Sequence, residues 1–181
     1  MLQITIPIGP EGWDEVKEEF VKPEEKTLQL EHSLVSLSKW ESTWCKAFLT
    51  KRKKTDEEVL DYIKCMTITR NVDPDIYAYL TPENISDIEK YIESPMTATV
   101  VREIDNGKPN RDVVTSELIY YWMIALGIPF ECEKWHINRL LTLIKVCNAK
   151  NAKPTKKSQQ QLVRDYAAIN EANKKKFNTK G

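Results

Sequence analysis

Glycine is scarce in this 181-residue sequence, with five residues, and histidine occurs only twice. So few glycines leave little material for the loops that cradle phosphate groups, and the sequence contains no Walker A, G-x-G-x-x-G or H-E-x-x-H motif. No cysteine lies in a signature typical of a catalytic nucleophile. Because these residue sets are missing, we expect that the protein is not an enzyme and uses no cofactor.

The four cysteines form no C-x-x-C pair, and each lies in an apolar or helical stretch. This pattern is typical of reduced, buried thiols in a cytoplasmic protein. Cys132 and His136 are four residues apart, a spacing that suits zinc binding on a helix, with His32 and Cys147 as further candidates. No second paired ligand motif accompanies them, so we expect buried thiols and a helix-surface histidine rather than a metal site.

Long apolar runs are also missing. No stretch reaches the about 18 uncharged apolar residues of a membrane-spanning helix, and the start, MLQITIPIG, lacks the basic and apolar regions of a signal peptide. We therefore expect a cytoplasmic protein without a membrane partner.

The sequence has no net charge, with 27 basic and 27 acidic residues, but the charges are unevenly placed. Residues 150–181 hold nine Lys and Arg against two Asp and Glu, a charge of +7, so residues 1–149 hold 18 against 25, a charge of −7. Charge alone gives only nonspecific affinity for nucleic acid. We favour a solubilising arm, or a segment that orders on binding a protein, over a nucleic-acid contact.

Alternating apolar residues predict two N-terminal strands. Leu2–Ile8 forms the first, with Pro7 marking an edge position, and Thr27–Glu31 pairs with it. Between them, Trp13–Phe20 has the spacing of a short amphipathic helix. Further along, Met96–Val101 alternates again, and a turn signal at residues 105–108 predicts a β-hairpin across residues 96–115.

Helices dominate the rest of the sequence. Capping signals predict three helix starts: Ser38 with Glu41, Thr55 with Glu58, and Thr81 with Pro82. A short helix is predicted over Pro74–Leu80.

The stretch Thr115–Lys150 has the densest apolar content and predicts two helices joined by a turn at Gly127–Pro129. Thr115 or Ser116 caps the first helix. The second carries apolar residues on one face, namely Trp135, Leu140, Leu141, Ile144 and Cys147.

The expected fold class is therefore mainly α, with α+β character. Residues 1–150 form a mostly helical domain with N-terminal strands, and residues 151–181 form a basic arm that is either a marginal helix or flexible.

Aromatic residues are the best candidates for a binding surface. Most are simply explained as core, but adjacent aromatics point in different directions around a helix, so one of the run at 120–122 must face a neighbour or solvent. Aromatic residues are enriched at interface hot spots. The candidate protein-binding residues are Trp40, Trp44, Phe48, Tyr120, Tyr121, Trp122 and Trp135.

Several segments resemble the tail assembly chaperones of long-tailed, siphovirus-type bacteriophages that infect Gram-positive hosts. The resemblance lies in overall sequence character and covers most of the chain beyond the first strand: Leu30–Trp44, Lys54–Ile68, Asn71–Tyr77, Met96–Val101, Thr115–Asn148 and the ending FNTKG.

The resemblance implies a non-enzymatic protein of the host cell cytoplasm. Such chaperones coat the long, helical tape measure protein, help the tail tube protein polymerise around it, and leave before the virion is complete. We expect the same two partners here, together with self-association. Two alternatives stay open: a structural tail completion or connector component of the virion, and a small regulatory or nucleic-acid-binding phage protein.

Overall fold

The computed structural model describes residues 1–9, 12–14, 19–21, 23–100, 113–151 and 159–177. The chain divides into two compact units, Met1–Ala149 and Lys150–Gly181. The described residues are mainly helical with a small antiparallel β element at the N-terminus, which confirms the predicted fold class. None of the described helices combines the length and apolar character required to cross a membrane.

The N-terminal β element is a pair of seven-residue strands. Strand β1 (Leu2–Ile8) runs antiparallel to a later strand, β4 (Glu24–Leu30), in a register that pairs Leu2 with Leu30 and Ile8 with Glu24. Alternate residues face inward, and the buried ones are Ile4, Ile6, Leu28 and Leu30. Since side chains alternate across a strand, this one-sided burial follows directly from the sequence pattern, and the predicted pairing is confirmed.

Between these strands the predicted helix over Trp13–Phe20 is wrong. Two short strands, β2 (Gly12–Asp14) and β3 (Glu19–Val21), pair antiparallel and place Trp13 opposite Phe20. The apolar spacing fits a helix, but the flanking strands β1 and β4 already run antiparallel. The two segments between them pair antiparallel with each other as well. Tertiary context overrides local propensity here.

Helix α1 (Leu34–Trp44) begins earlier than predicted. Its N-cap is Ser33, whose hydroxyl accepts from the Ser36 backbone N–H, while the Ser36 hydroxyl accepts from the Ser33 backbone N–H. The predicted capping pair of Ser38 and Glu41 is therefore wrong, because both residues lie inside a helix that a reciprocal serine pair has already started.

Helix α2 (Asp56–Met66) begins as predicted, with reciprocal bonds between Thr55 and Glu58. The buried Glu58 carboxylate also accepts from Lys46 and Arg52, each at 2.8 Å from Oε1. The hydrogen bond from Arg52, followed by that from Lys46, lowers the pKa of Glu58 to about 2. One carboxylate thus caps a helix and fixes the loop that leads into it.

The next two elements follow their predictions. A 3-10 helix spans Pro74–Tyr79, and Thr81 caps helix α3 (Pro82–Glu93) with Pro82 in its first position. Helix α3 reaches the strands through Asn84, which donates to the Thr5 carbonyl at 3.2 Å, and through the Tyr91 hydroxyl, 2.6 Å from the Glu31 carboxylate.

The hairpin predicted over residues 96–115 is wrong where the structure describes it. Residues 96–100 and 113–115 contain no strand, and the remainder lies outside the described residues. Met96 has a left-handed backbone with φ of 47°, and Val100 is 88% exposed. Alternation alone does not make a strand when no neighbouring chain supplies the hydrogen bonds.

The apolar stretch forms helix α4 (Ser116–Ala125), a 3-10 helix (Phe130–Lys134) and helix α5 (Ile137–Asn151). Thr115 caps α4, and the positive φ of Gly127, 63°, ends it in a conformation that glycine adopts readily. Trp135 lies at the end of the 3-10 helix rather than on α5 as predicted, because its backbone N–H bonds back to the Cys132 carbonyl.

Within the predicted basic arm, residues 159–177 form helix α6 (Gln159–Phe177).

A buried carboxylate, Glu41 on α1, joins three segments. Its Oε1 accepts from the Phe48 backbone N–H at 2.8 Å, and its Oε2 accepts from the Ser116 backbone N–H at 2.7 Å. The first bond holds the loop after α1, and the second holds the first residue of α4. A carboxylate at a helix N-terminus is also favoured by the helix dipole.

The two histidines meet in the core. The rings of His32 and His136 are 5.0 Å apart, edge to face. His32 Nδ1 is hydrogen-bonded to the Tyr62 hydroxyl, and His136 Nε2 lies 3.0 Å from the Tyr91 carbonyl oxygen. Burial lowers the pKa of both rings, that of His32 to about 3, so both are neutral near pH 7.

Replacing Glu41 with glutamine tests the carboxylate junction. The amide keeps one acceptor oxygen and turns an N–H₂ group toward the other backbone donor, so one buried N–H loses its partner. We expect the free energy of unfolding to fall by about 1–3 kcal/mol, measured by urea denaturation. Glu89→Gln, on the exposed side of α3, is the control and should change it by less than about 0.5 kcal/mol. Equal effects of the two substitutions would contradict this role.

The histidine pair makes stability depend on pH. Below about pH 6.5 the unfolded chain protonates His32 while the folded chain does not. The stability due to neutral burial is therefore complete above that pH and falls as the pH drops. Between pH 7 and pH 5 we expect a loss of about 2 kcal/mol from His32 alone.

Urea denaturation at pH 8, 7 and 5 would measure this loss. The step from pH 8 to 7 is the internal control, since the histidines are mostly neutral in both states there. In His32→Gln, which keeps a side chain able to hydrogen-bond Tyr62, the loss between pH 7 and 5 should shrink. A wild-type stability that is flat across this range would show that the rings are not held neutral.

Candidate protein-binding surfaces

Helix α4 is apolar on nearly every side, with Glu117 as its one charged residue. Its inner side is buried through Ile119 and Met123, neither of which is exposed to solvent. A ten-residue helix that is apolar all round must either be enclosed or present apolar surface to something else. The described structure encloses only part of α4, and two surfaces remain.

The first surface is a groove of about 1050 Å³ beside α4. Its apolar lining consists of Trp122 of α4, Leu141 and Ile144 of α5, and Leu49, Pro95, Val113 and Val114. Trp122 is half-buried and Ile144 almost completely buried. Half of the residues that line the groove are therefore apolar, and some of them also pack in the core.

Polar side chains also line this groove. Asn138 and Thr142 of α5 lie along it, and Lys51, Glu93 and Lys145 also line it. Asn138 donates to the carbonyl oxygens of Ile92 at 3.1 Å and Ser94 at 2.8 Å, which ties α5 to the end of α3. The wall of the groove is thus fixed by hydrogen bonds. An apolar interior with a few placed polar groups is the usual composition of a binding site.

The second surface, which we call the outer face, consists of Tyr121, Ile124 and Phe130. These side chains are 63%, 65% and 56% exposed. Tyr121 and Ile124 are three residues apart on one side of α4. Phe130 follows the turn after α4, and its ring lies 6.5 Å from that of Tyr120. Three large apolar side chains this exposed on α4 and just after it are unusual for a surface that faces only water.

The stripe predicted on α1 belongs largely to the core. The rings of Trp40 and Phe48 are buried and 5.1 Å apart, and Phe48 lies beyond the end of the helix, which stops at Cys45. Trp44 is half-buried, stacks on Trp40 at 6.1 Å, and donates its indole N–H to Asp61 at 2.9 Å. These residues hold α1 against α2.

The other predicted aromatic residues lie in different surroundings. Trp122 lies in the groove, and Tyr121 is the solvent-facing member that the dense run required. Tyr120 is half-buried and donates its hydroxyl to Glu133 at 2.9 Å; desolvation and this contact raise the pKa of Tyr120 to about 12. Trp135 is half-buried under the guanidinium of Arg139, 4.1 Å from its ring centre, and does not line the groove.

The groove also contains residues that were predicted only as core. Leu141 and Ile144 were assigned to a buried helix face from their spacing, but nothing in that spacing showed that Trp122 would line the same groove. Ile124 and Phe130 were missed altogether. The available signal for Ile124 was its three-residue offset from Tyr121, which places both on one side of a helix.

The residues weighed for zinc are otherwise engaged. His136 Nδ1 accepts from the Asn138 backbone N–H at 3.3 Å, and its other ring nitrogen is at the Tyr91 carbonyl. Burial raises the pKa of the Cys132 thiol. Within the described ranges, no group of three or more His, Cys, Asp or Glu side chains is placed to hold a metal ion.

Comparison of the chain with models of protein families, with curated proteins and with solved structures gives no match in any of the three. The inference of function therefore depends on the two surfaces above and on the resemblance in the sequence.

Substitutions should separate core aromatics from surface aromatics. Trp40→Ala removes a fully buried indole together with its hydrogen bond to the Glu58 carbonyl at 2.8 Å, so we expect unfolding to become easier by about 3–5 kcal/mol. Tyr121→Ser changes an exposed side chain and should cost less than about 0.5 kcal/mol. Urea denaturation of both variants checks the assignment, and a large cost at Tyr121 would place it in the core instead.

Proposed function

We propose that this protein is a non-enzymatic assembly chaperone of a long-tailed bacteriophage, and that it binds helical segments of the tape measure protein while the tail tube protein assembles. The groove beside α4 is the observation that carries the proposal. The resemblance in the sequence supplies the identity of the client.

The groove suits an amphipathic helix. A helix buries a stripe of apolar side chains at intervals of three and four residues, and an apolar groove with a polar border receives such a stripe. Trp122 provides a large, rigid contact, and Leu141 provides an aliphatic one. Tryptophan is among the residues that contribute most to binding at the centre of interfaces.

The charged border supplies orientation rather than affinity. Lys51 lines the same groove as Glu93, so a client helix with acidic and basic side chains beside its apolar stripe finds both signs. Exposed charge pairs contribute little energy each, but they disfavour mismatched registers.

The first experiment is co-expression of the full chain with the tape measure protein encoded by the same phage. Co-purification of a soluble complex, with several copies of this chain per client by light scattering, is the expected result. Absence of the complex, with the chain present in purified virions, would overturn the proposal and favour a structural tail component.

Variants then test the groove. Trp122→Ala should raise the Kd for the client by at least about tenfold, because it removes a hot-spot aromatic from the groove. The weaker binding should appear as a smaller amount of co-purified client. Trp135→Ala is a matched control, since that indole is also half-buried but lies outside the groove. Circular dichroism and urea denaturation confirm that both variants fold. Equal binding by both folded variants would exclude the groove as the client site.

A further inference from the structure

We infer that helix α6 of one copy of this protein docks on the outer face of a second copy. The inference concerns the chain alone and goes beyond the proposed function, since it holds for any client or for none. Four observations support it: an unpacked apolar stripe on α6, an unpacked apolar patch on the body, opposite charges on the two, and the charge cost of the competing arrangement.

The first observation is the state of α6. Its nineteen residues extend for roughly 28 Å. Val163, Tyr166 and Ile169 are 65%, 65% and 54% exposed. Their spacing of three residues keeps them on one side of the helix, spread over ~9 Å of its length. Most helical stability in proteins comes from packing of an apolar side rather than from local propensity. The stripe therefore needs a partner surface.

The second observation is the outer face, which is its counterpart in size and character. Tyr121, Ile124 and Phe130 are as exposed as the residues of the stripe. Each surface contains two aliphatic or aromatic side chains at a three-residue helical interval, flanked by a third. Contacts of one helix with another through such ridges are the usual way in which helices pack.

The third observation is charge. Carboxylates surround the outer face: Glu117 lies one helical turn before Tyr121, and Glu131 and Glu133 follow Phe130, with Lys134 as the basic neighbour. Helix α6 contains four basic residues against two acidic ones, a charge of +2. The two units as a whole carry −7 and +7 over residues 1–149 and 150–181. Complementary charge of this size guides encounter and sets orientation.

The fourth observation decides between arrangements. Pairing of α6 with α6 from another copy would bring together two helices of charge +2, each ending in the run Lys174–Lys176. Docking on an acidic body replaces this repulsion by attraction. Reciprocal exchange of two arms gives a closed two-fold dimer, in which the second contact forms at a high effective concentration.

The experiment is light scattering on the full chain over a concentration series, with three single substitutions. Ile169→Asp places a charge in the stripe, and Ile124→Asp places one in the outer face. Each alters an exposed side chain, so the folds should persist, which circular dichroism checks. We expect each to weaken self-association by at least about tenfold. Ala168→Asp, on the opposite side of α6, is the matched control and should self-associate as the wild type does.

Mixing the two defective proteins gives the decisive result. Ile124→Asp retains an intact arm and Ile169→Asp retains an intact outer face, so one functional contact is restored in the mixture. Recovery of a mixed dimer, identified with a mass label on one protein, supports docking between copies. A wild-type monomer would overturn the inference and indicate docking within one chain or none. A wild-type dimer that the mixture does not restore would also overturn it and favour α6–α6 pairing.

Discussion

The Glu41 carboxylate is the interaction on which the arrangement of the body most depends. It is buried, it lies on α1, and its two oxygens accept from backbone donors in two other segments, one of them 75 residues later in the sequence. Charge-assisted bonds to backbone donors are among the stronger hydrogen bonds in proteins. Because one of them holds the first residue of α4, the position of that helix, with Trp122 in the groove and Tyr121 and Ile124 of the outer face, depends on this side chain.

A second set of contacts joins residues 32–33 to residues 136–137 of the same body. The His32 carbonyl accepts from the Ile137 backbone N–H at 2.7 Å, and Ser33 and His136 form a β-bridge beside the two packed rings. The start of α1 and the start of α5 are therefore joined through both backbone and side chains. Together with Glu41, this contact connects α1 to the starts of both α4 and α5, the two helices that supply Trp122 and Leu141 to the groove.

Local signals in the sequence predicted most of the local structure, although the serine pair that caps α1 was missed. Alternation predicted the pairing of β1 with β4, and caps predicted the starts of α2, α3 and α4, because these features depend on neighbours within a few residues. The predictions failed where distant contacts decide the outcome. Glu41 was assigned to a cap since its partner Ser116 is far away in sequence, and the alternating residues after Met96 have no partner strand in the described structure. For the same reason, the groove was not predictable: its lining comes from α3, α4 and α5 and from three further segments, at residues 49–51, 95 and 113–114.

The unequal surroundings of the tryptophans have an optical consequence. Trp40 is fully enclosed, whereas Trp122 is half-buried in the groove. Indole fluorescence shifts to the blue when water leaves its vicinity, so the emission of Trp40 is already that of a dry site, while Trp122 retains room to change. Trp44 and Trp135 are half-buried as well, so a ligand that covers Trp122 should alter the red part of the emission spectrum and the accessibility to a water-soluble quencher only in part, and Trp122→Ala should remove that part, which makes the groove its own reporter without any attached dye.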